Sequence, residues 1–178
     1  MYDWPEVRAE TDAQWAAIRD ALKAAGVDAP ERLTRRNAEL PAVPGGIKDA
    51  SGAVVSPDPV SLPPDDLDVH AMWRHPALLF AQTCWGPMEL GLRDDVQVIG
   101  QPDYSDCEGG KGAFYSSAIL ARRGGVDVAA PADGAASLPL EAMRGARFAF
   151  NGPDSMSGII ALTRDLEAAG ESLAIFSQ

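Results

Sequence analysis

The sequence holds only two histidines and two cysteines. That scarcity bears first on metal chemistry. His70 and His75 lie five apart, a spacing that does not place both on one helical face. No acidic or thiol partner stands at ligand spacing from them, so a four-ligand zinc set is missing and no metal site is expected. Cys84 and Cys107 do not form a C-x-x-C pair. Positive charge is also short: 15 Lys and Arg stand against 26 Asp and Glu, a net charge of −11. A general nucleic-acid binder needs a basic face, so that class is excluded, and any bound anion must be held by a local site and not by the overall field. No apolar run approaches the ~18 residues of a transmembrane helix. The first residues, Met1 to Glu6, carry neither a basic n-region nor an apolar h-region, so this chain shows no signal peptide.

With 178 residues, 46% hydrophobic and 23% charged, the composition is that of a globular chain able to build one core or two small lobes. Its most informative stretch runs from Arg147 to Leu162. Phe148 to Phe150 read as a short apolar strand that stops at the turn formers Asn151-Gly152-Pro153-Asp154. Ser155 and Ser157 then open an apolar-periodic helix, Ile159 to Leu166. A helix start has unpaired N–H groups and about half a positive charge. Two hydroxyls and Gly158 at that point suit a small anion, because the hydroxyls donate and glycine admits close approach. An ordinary serine N-cap explains the same residues, and one helix start serves both roles.

Elsewhere the punctuation is local. Thr11-Asp-Ala-Gln14 is a capping-box pattern, and Trp15, Ile18 and Leu22 predict a helix over 12–25 stopped by Gly26. Residues 38–66 hold six prolines and three glycines between them, which predicts a surface insertion with a small hairpin turned by Ser51-Gly52 between Ile47 and Val54-Val55. A short helix is expected over Asp68 to Arg74, with Val69, Met72 and Trp73 inward. Buried strands are expected over 77–81, 96–100 and 114–121, a helical turn over Met88 to Leu92, and a short helix from Leu138 to Met143.

Five blocks then occur in order: Met1-Tyr2-Asp3; Trp73-Arg74-His75-Pro76-Ala77-Leu78-Leu79; Gln82-Thr83-Cys84; Tyr115-Ser116-Ser117-Ala118-Ile119; and Phe148 through Gly158. Together they resemble the substrate-binding proteins of phosphate, phosphite and phosphonate ABC transporters. The resemblance implies an α/β fold of the type II periplasmic-binding-protein kind, with two α/β lobes and the ligand between them. It divides the chain into lobe 1 over 1–121, including the insertion at 38–66, and a partial lobe 2 over 122–178. It implies that Ser155, Ser157 and Gly158 bind the anion, with Thr83 at a first-lobe strand end, Tyr115 and Ser116 on a crossover strand, and Tyr2 near the cleft. Family members start with an apolar strand before Met-Tyr-Asp and continue beyond the equivalent of residue 178, so this chain resembles a form truncated at both ends. The implied role is binding, without catalysis or cofactor, with a small anion and an ABC permease as partners and a periplasmic location. The missing signal peptide leaves the cytoplasm open. Export implies a Cys84–Cys107 disulfide; as free thiols the two would be inert small hydrophobes.

Other readings stay open. Thr83 equally satisfies strand-end backbone groups, Tyr115 equally packs half-buried, and Trp85 and Tyr104 suit a core or rim. The serine turn is not a hydrolase elbow: Asp154-Ser155-Met156-Ser157-Gly158 is not G-x-S-x-G, and both histidines precede the serine. A thiamine-precursor enzyme of the same fold relies on a His/Cys set with no counterpart here. A ligand-sensing or protein-interaction domain on the same scaffold is the remaining alternative.

Overall fold

The computed structural model describes residues 3–125, 131 and 137–177. Tyr2 lies outside the described residues. Two compact units are present: 1–83 with 94–96, and 84–93 with 97–178.

The first unit begins with a 3₁₀ turn, Pro5–Val7, that runs directly into helix α1, Arg8–Ala24. The helix therefore starts earlier than the Thr11 pattern predicts. Proline's fixed φ and missing N–H suit a first helical position, so Pro5 sets the start and Thr11 falls inside. Its hydroxyl donates to the Val7 carbonyl at 3.1 Å. The stop is as read. Gly26 takes φ +81°, its amide donates to Lys23, and the Val27 amide donates to Leu22, which together form a Schellman close. Trp15 is buried and donates its indole N–H to the Pro30 carbonyl at 3.2 Å. No helix begins at Glu31 to Leu33 among the described residues.

The Pro/Gly-rich segment is stitched into the unit by side chains. Strands β1 (Ile47–Lys48) and β2 (Val54–Ser56) form the expected antiparallel hairpin. In its turn, Asp49 Oδ1 accepts the Ser51 and Ala53 amides and the Ser51 hydroxyl. Asn37 is 1% exposed. Its Nδ2 donates to the Pro63 carbonyl and its Oδ1 accepts the Asp68 amide, both at 2.9 Å. Helix α2, Val69–Trp73, is capped by Asp68, whose carboxylate accepts the Ala71 amide at 3.0 Å. The residue it buries is Ala71; Val69 faces outward. Arg74 Nε donates to Asp95 at 2.6 Å, and the other Asp95 oxygen accepts the Ala50 amide at 2.7 Å. One largely buried carboxylate thus joins the hairpin, α2 and residue 95.

His75 explains why no strand follows. Its Nδ1 accepts the Ala77 amide at 3.0 Å, so its Nε2 carries the proton donated to the Pro41 carbonyl at 3.0 Å. The Leu78 amide bonds the His75 carbonyl. These bonds close a turn where a strand over 77–81 is expected.

In the second unit, helix α3 is Trp85–Glu89, earlier than the expected turn at Met88; a 3₁₀ turn at Leu92–Asp94 follows in the chain and ends at the first residue of 94–96 in the first unit. Residues 97–103 and 115–121 make no backbone–backbone hydrogen bond among the described residues, so the strands expected there form no ladder. At the head of the second segment, Phe114 turns back to pair with Lys111 instead. Helix α4 is Leu140–Met143. A π-helical turn, Met156–Ile160, passes into helix α5, Ala161–Ala168. Beyond it the Leu173–Ile175 turn leads to Ser177, which pairs in parallel with Arg147. This is one isolated bridge, with no strand on either side of it among the described residues. Phe148 to Phe150 form no strand of their own; Phe148 stacks on Phe176 at 4.6 Å. The apolar face of the helix buries Leu162 and Leu166 against Met143 and Ile175, which form the core of this unit.

Candidate functional site

The site is built on the turn between Phe150 and the helix that follows. Gly152 accepts the Ser155 amide at 3.1 Å, which turns the chain so that Ser155, in extended conformation, becomes the N-cap. Ser155 is buried, and its Oγ accepts the Gly158 amide at 3.1 Å. This is the N-cap arrangement, with the cap oxygen bound to the third helical amide. The hydroxyl proton of Ser155 remains as a donor.

The first turn is wide. The Ser155 carbonyl accepts from both Ile159 and Ile160 at 3.1 Å, which adds an i→i−5 bond to the usual i→i−4 bond. π-Turns of this kind occur often at functional sites. The Met156 and Ser157 amides and the Ser157 hydroxyl have no hydrogen-bond partner among the described residues. Three donors are therefore present at one helix start, the Met156 nitrogen lying close to Gly86, where the aligned peptide dipoles favour negative charge.

Several neighbours shape this start, and some were not foreseen. Ser117 Oγ donates to the Ser157 carbonyl at 3.0 Å, which ties the 115–117 segment to the turn. A Cβ on Gly158 would lie 1.9 Å from Asn151 Oδ1, so the Asn151 amide rests against the glycine. Helix α3 seats Gly86 on the turn, where a Cβ would fall 1.8 Å from the Asp154 carbonyl oxygen. Glu89 of the same helix accepts from Trp85 Nε1 and pairs with Arg164, both at 3.0 Å. The sequence signal for these contacts is faint: a serine one place past Ser116, and an asparagine read only as a turn former.

The other expected residues are distributed differently. Tyr115 lies against Tyr104 with ring centres 5.0 Å apart, the packing role left open for it. Ser116 donates its hydroxyl to the Gly109 carbonyl at 3.0 Å. Thr83 belongs to the first unit, whereas Ser155, Ser157, Gly158, Tyr115 and Ser116 belong to the second. Tyr2 is outside the described residues. The disulfide that export would imply is not formed in this structure: Cys84 and Cys107 are not joined to one another. Each is fixed by its own local structure, Cys84 as the N-cap of α3 and Cys107 within the turn from Tyr104 to Gly110.

Two cavities, of about 330 and about 320 Å³, lie elsewhere, and neither is lined by any expected site residue. Among the described residues, no group of three or more His, Cys, Asp or Glu side chains is placed to hold a metal ion. No helix among them is long and apolar enough to cross a membrane. No protein-family model matches the chain, and no curated protein or solved structure matches it at a significant level.

Proposed function

We propose that the chain binds a small oxyanion of the phosphate, phosphite or phosphonate class at the helix start formed by Ser155, Ser157 and Gly158, as the solute-binding part of an ABC importer does. The observation that carries this reading is the Ser157 hydroxyl beside the Met156 and Ser157 amides, all without a partner among the described residues at a π-widened helix start. The chemistry is capture, not turnover. The helix amides and the Ser155 and Ser157 hydroxyls donate to the anion's oxygens. Hydrogen bonds to a charged partner contribute about 1.5–3 kcal/mol each, so three or four support micromolar binding after ordering costs.

A thermal-shift panel of phosphate, phosphite and methylphosphonate tests this. A ligand at about 100 times its Kd stabilises by about 2.7 kcal/mol, roughly 5–10 °C for a chain of this length. A panel in which no member raises the melting temperature rejects the proposal.

A further inference from the structure

The first unit contains a cavity of about 320 Å³ beside the hairpin, at the lower end of the size range of small-molecule sites. Val43, Pro44, Ile47 and Pro76 form apolar walls, and Lys48 and Arg74 line it as well. Arg74 spends only its Nε on Asp95, at 2.6 Å. Its side chain is 14% exposed, and its terminal nitrogens have no further partner among the described residues. Lys48 likewise has no carboxylate partner among them. Two cationic residues, one of them paired on its Nε side with Asp95, thus line one apolar-walled space in a protein whose net charge is −11.

We infer that this cavity is a binding site for a small organic carboxylate with an apolar body. An inorganic oxyanion would leave the four apolar walls without a partner. A neutral apolar molecule would leave the Arg74 terminal nitrogens and the Lys48 ammonium without an acceptor. A carboxylate on a ring or short chain satisfies both: the guanidinium edge and the ammonium take the oxygens, and the body displaces water from the proline, valine and isoleucine surface. Asp95 holds the Arg74 guanidinium in place from its Nε side, so little side-chain freedom is lost on binding. This inference does not rest on the oxyanion reading, which concerns Ser155 in the other unit.

The test is amide and arginine side-chain NMR of the full chain titrated with benzoate, with benzamide and inorganic phosphate as separate arms. Benzoate is expected to shift the Ile47, Lys48 and Arg74 amides and the Arg74 Nε–H, while benzamide and phosphate leave them unmoved. Lys48→Met, which keeps the stem of an exposed side chain and removes its charge, is expected to weaken benzoate about 5–10-fold. Its melting temperature should equal that of the parent, which shows the fold intact. Val43→Phe, which fills the space, is expected to abolish the shifts. The inference is overturned by three results: no shift at these residues in millimolar benzoate, equal shifts with benzamide or phosphate, or unchanged affinity in Lys48→Met.

Discussion

Gly86 approaches Asp154 so closely that a methyl group on its Cα would lie 1.8 Å from the Asp154 carbonyl oxygen. The obstacle is backbone, so it cannot turn away as a side chain would. Gly86→Ala should therefore cost at least ~2 kcal/mol, because α3 must lift from the turn that precedes the capped helix. Gly100→Ala, at a position with nothing near its Cα, should change stability by no more than ~0.5 kcal/mol. Urea unfolding of both variants checks the contrast, and equal stabilities would remove the packing claim.

Asn37 supports a second prediction. Its amide donates to Pro63 and accepts from Asp68, and it is almost wholly buried. Asn37→Ala leaves both backbone groups without a partner and should cost about 2–4 kcal/mol. Asn37→Asp keeps the acceptor, loses the donor and buries a charge. It should be most destabilised at neutral pH and recover part of the loss as acid protonates the new carboxyl. Denaturant midpoints of the two variants at pH 7 and pH 4 separate these effects.

Much of the local structure is legible in the sequence, and the reason is that its causes are local. The Gly26 stop, the short helix at Asp68 to Arg74, the turn at Ser51-Gly52 and the Ser155 helix start each depend on residues within about a turn of one another. The start of α1 was misplaced because two valid signals compete, Thr11 and Pro5, and the proline acts first along the chain. The apolar runs at 77–81, 96–100 and 114–121 read as strands, but a strand exists only with a partner, and partners are not written in the run itself. His75 shows the point: its ring takes the Ala77 amide that a ladder would need. Asn37 was invisible for a related reason. Its acceptor is a proline carbonyl 26 residues away, and nothing in the spacing announces that pairing. At the candidate site, Ser155 to Gly158 were legible as a cap, whereas Ser117 and Asn151 come close to them only through the fold.

A third prediction concerns acid. Arg35 donates to both oxygens of Asp3, at 2.5 and 2.9 Å, and to Asp12 at 2.8 Å. The Arg35 hydrogen bond, before its charge, holds the Asp3 carboxyl below its ordinary value of 3.8. A carboxyl lowered on folding stabilises fully above that ordinary value, and the contribution is lost as pH falls through the lower folded value. Both side chains are mostly shielded from solvent, so Asp3→Asn should cost about 1–2 kcal/mol at neutral pH. The gap between parent and variant should stay constant down to about pH 5 and close in stronger acid. Chemical unfolding across that range reads it directly; a gap that widens toward acid would contradict the assignment.

The proposed oxyanion site depends on the Ser157 hydroxyl as a ligand. Ser155 is a poor probe, since removing its hydroxyl also removes the helix cap at Gly158. Ser157→Ala leaves that cap intact and should leave the melting temperature within about 1 °C of the parent. The direct measurement is calorimetric titration of the parent and Ser157→Ala with phosphate, phosphite and methylphosphonate. The prediction is micromolar binding of at least one of these by the parent and an affinity about tenfold weaker in Ser157→Ala. No binding heat from any of the three, or equal affinity in the two proteins, would contradict it.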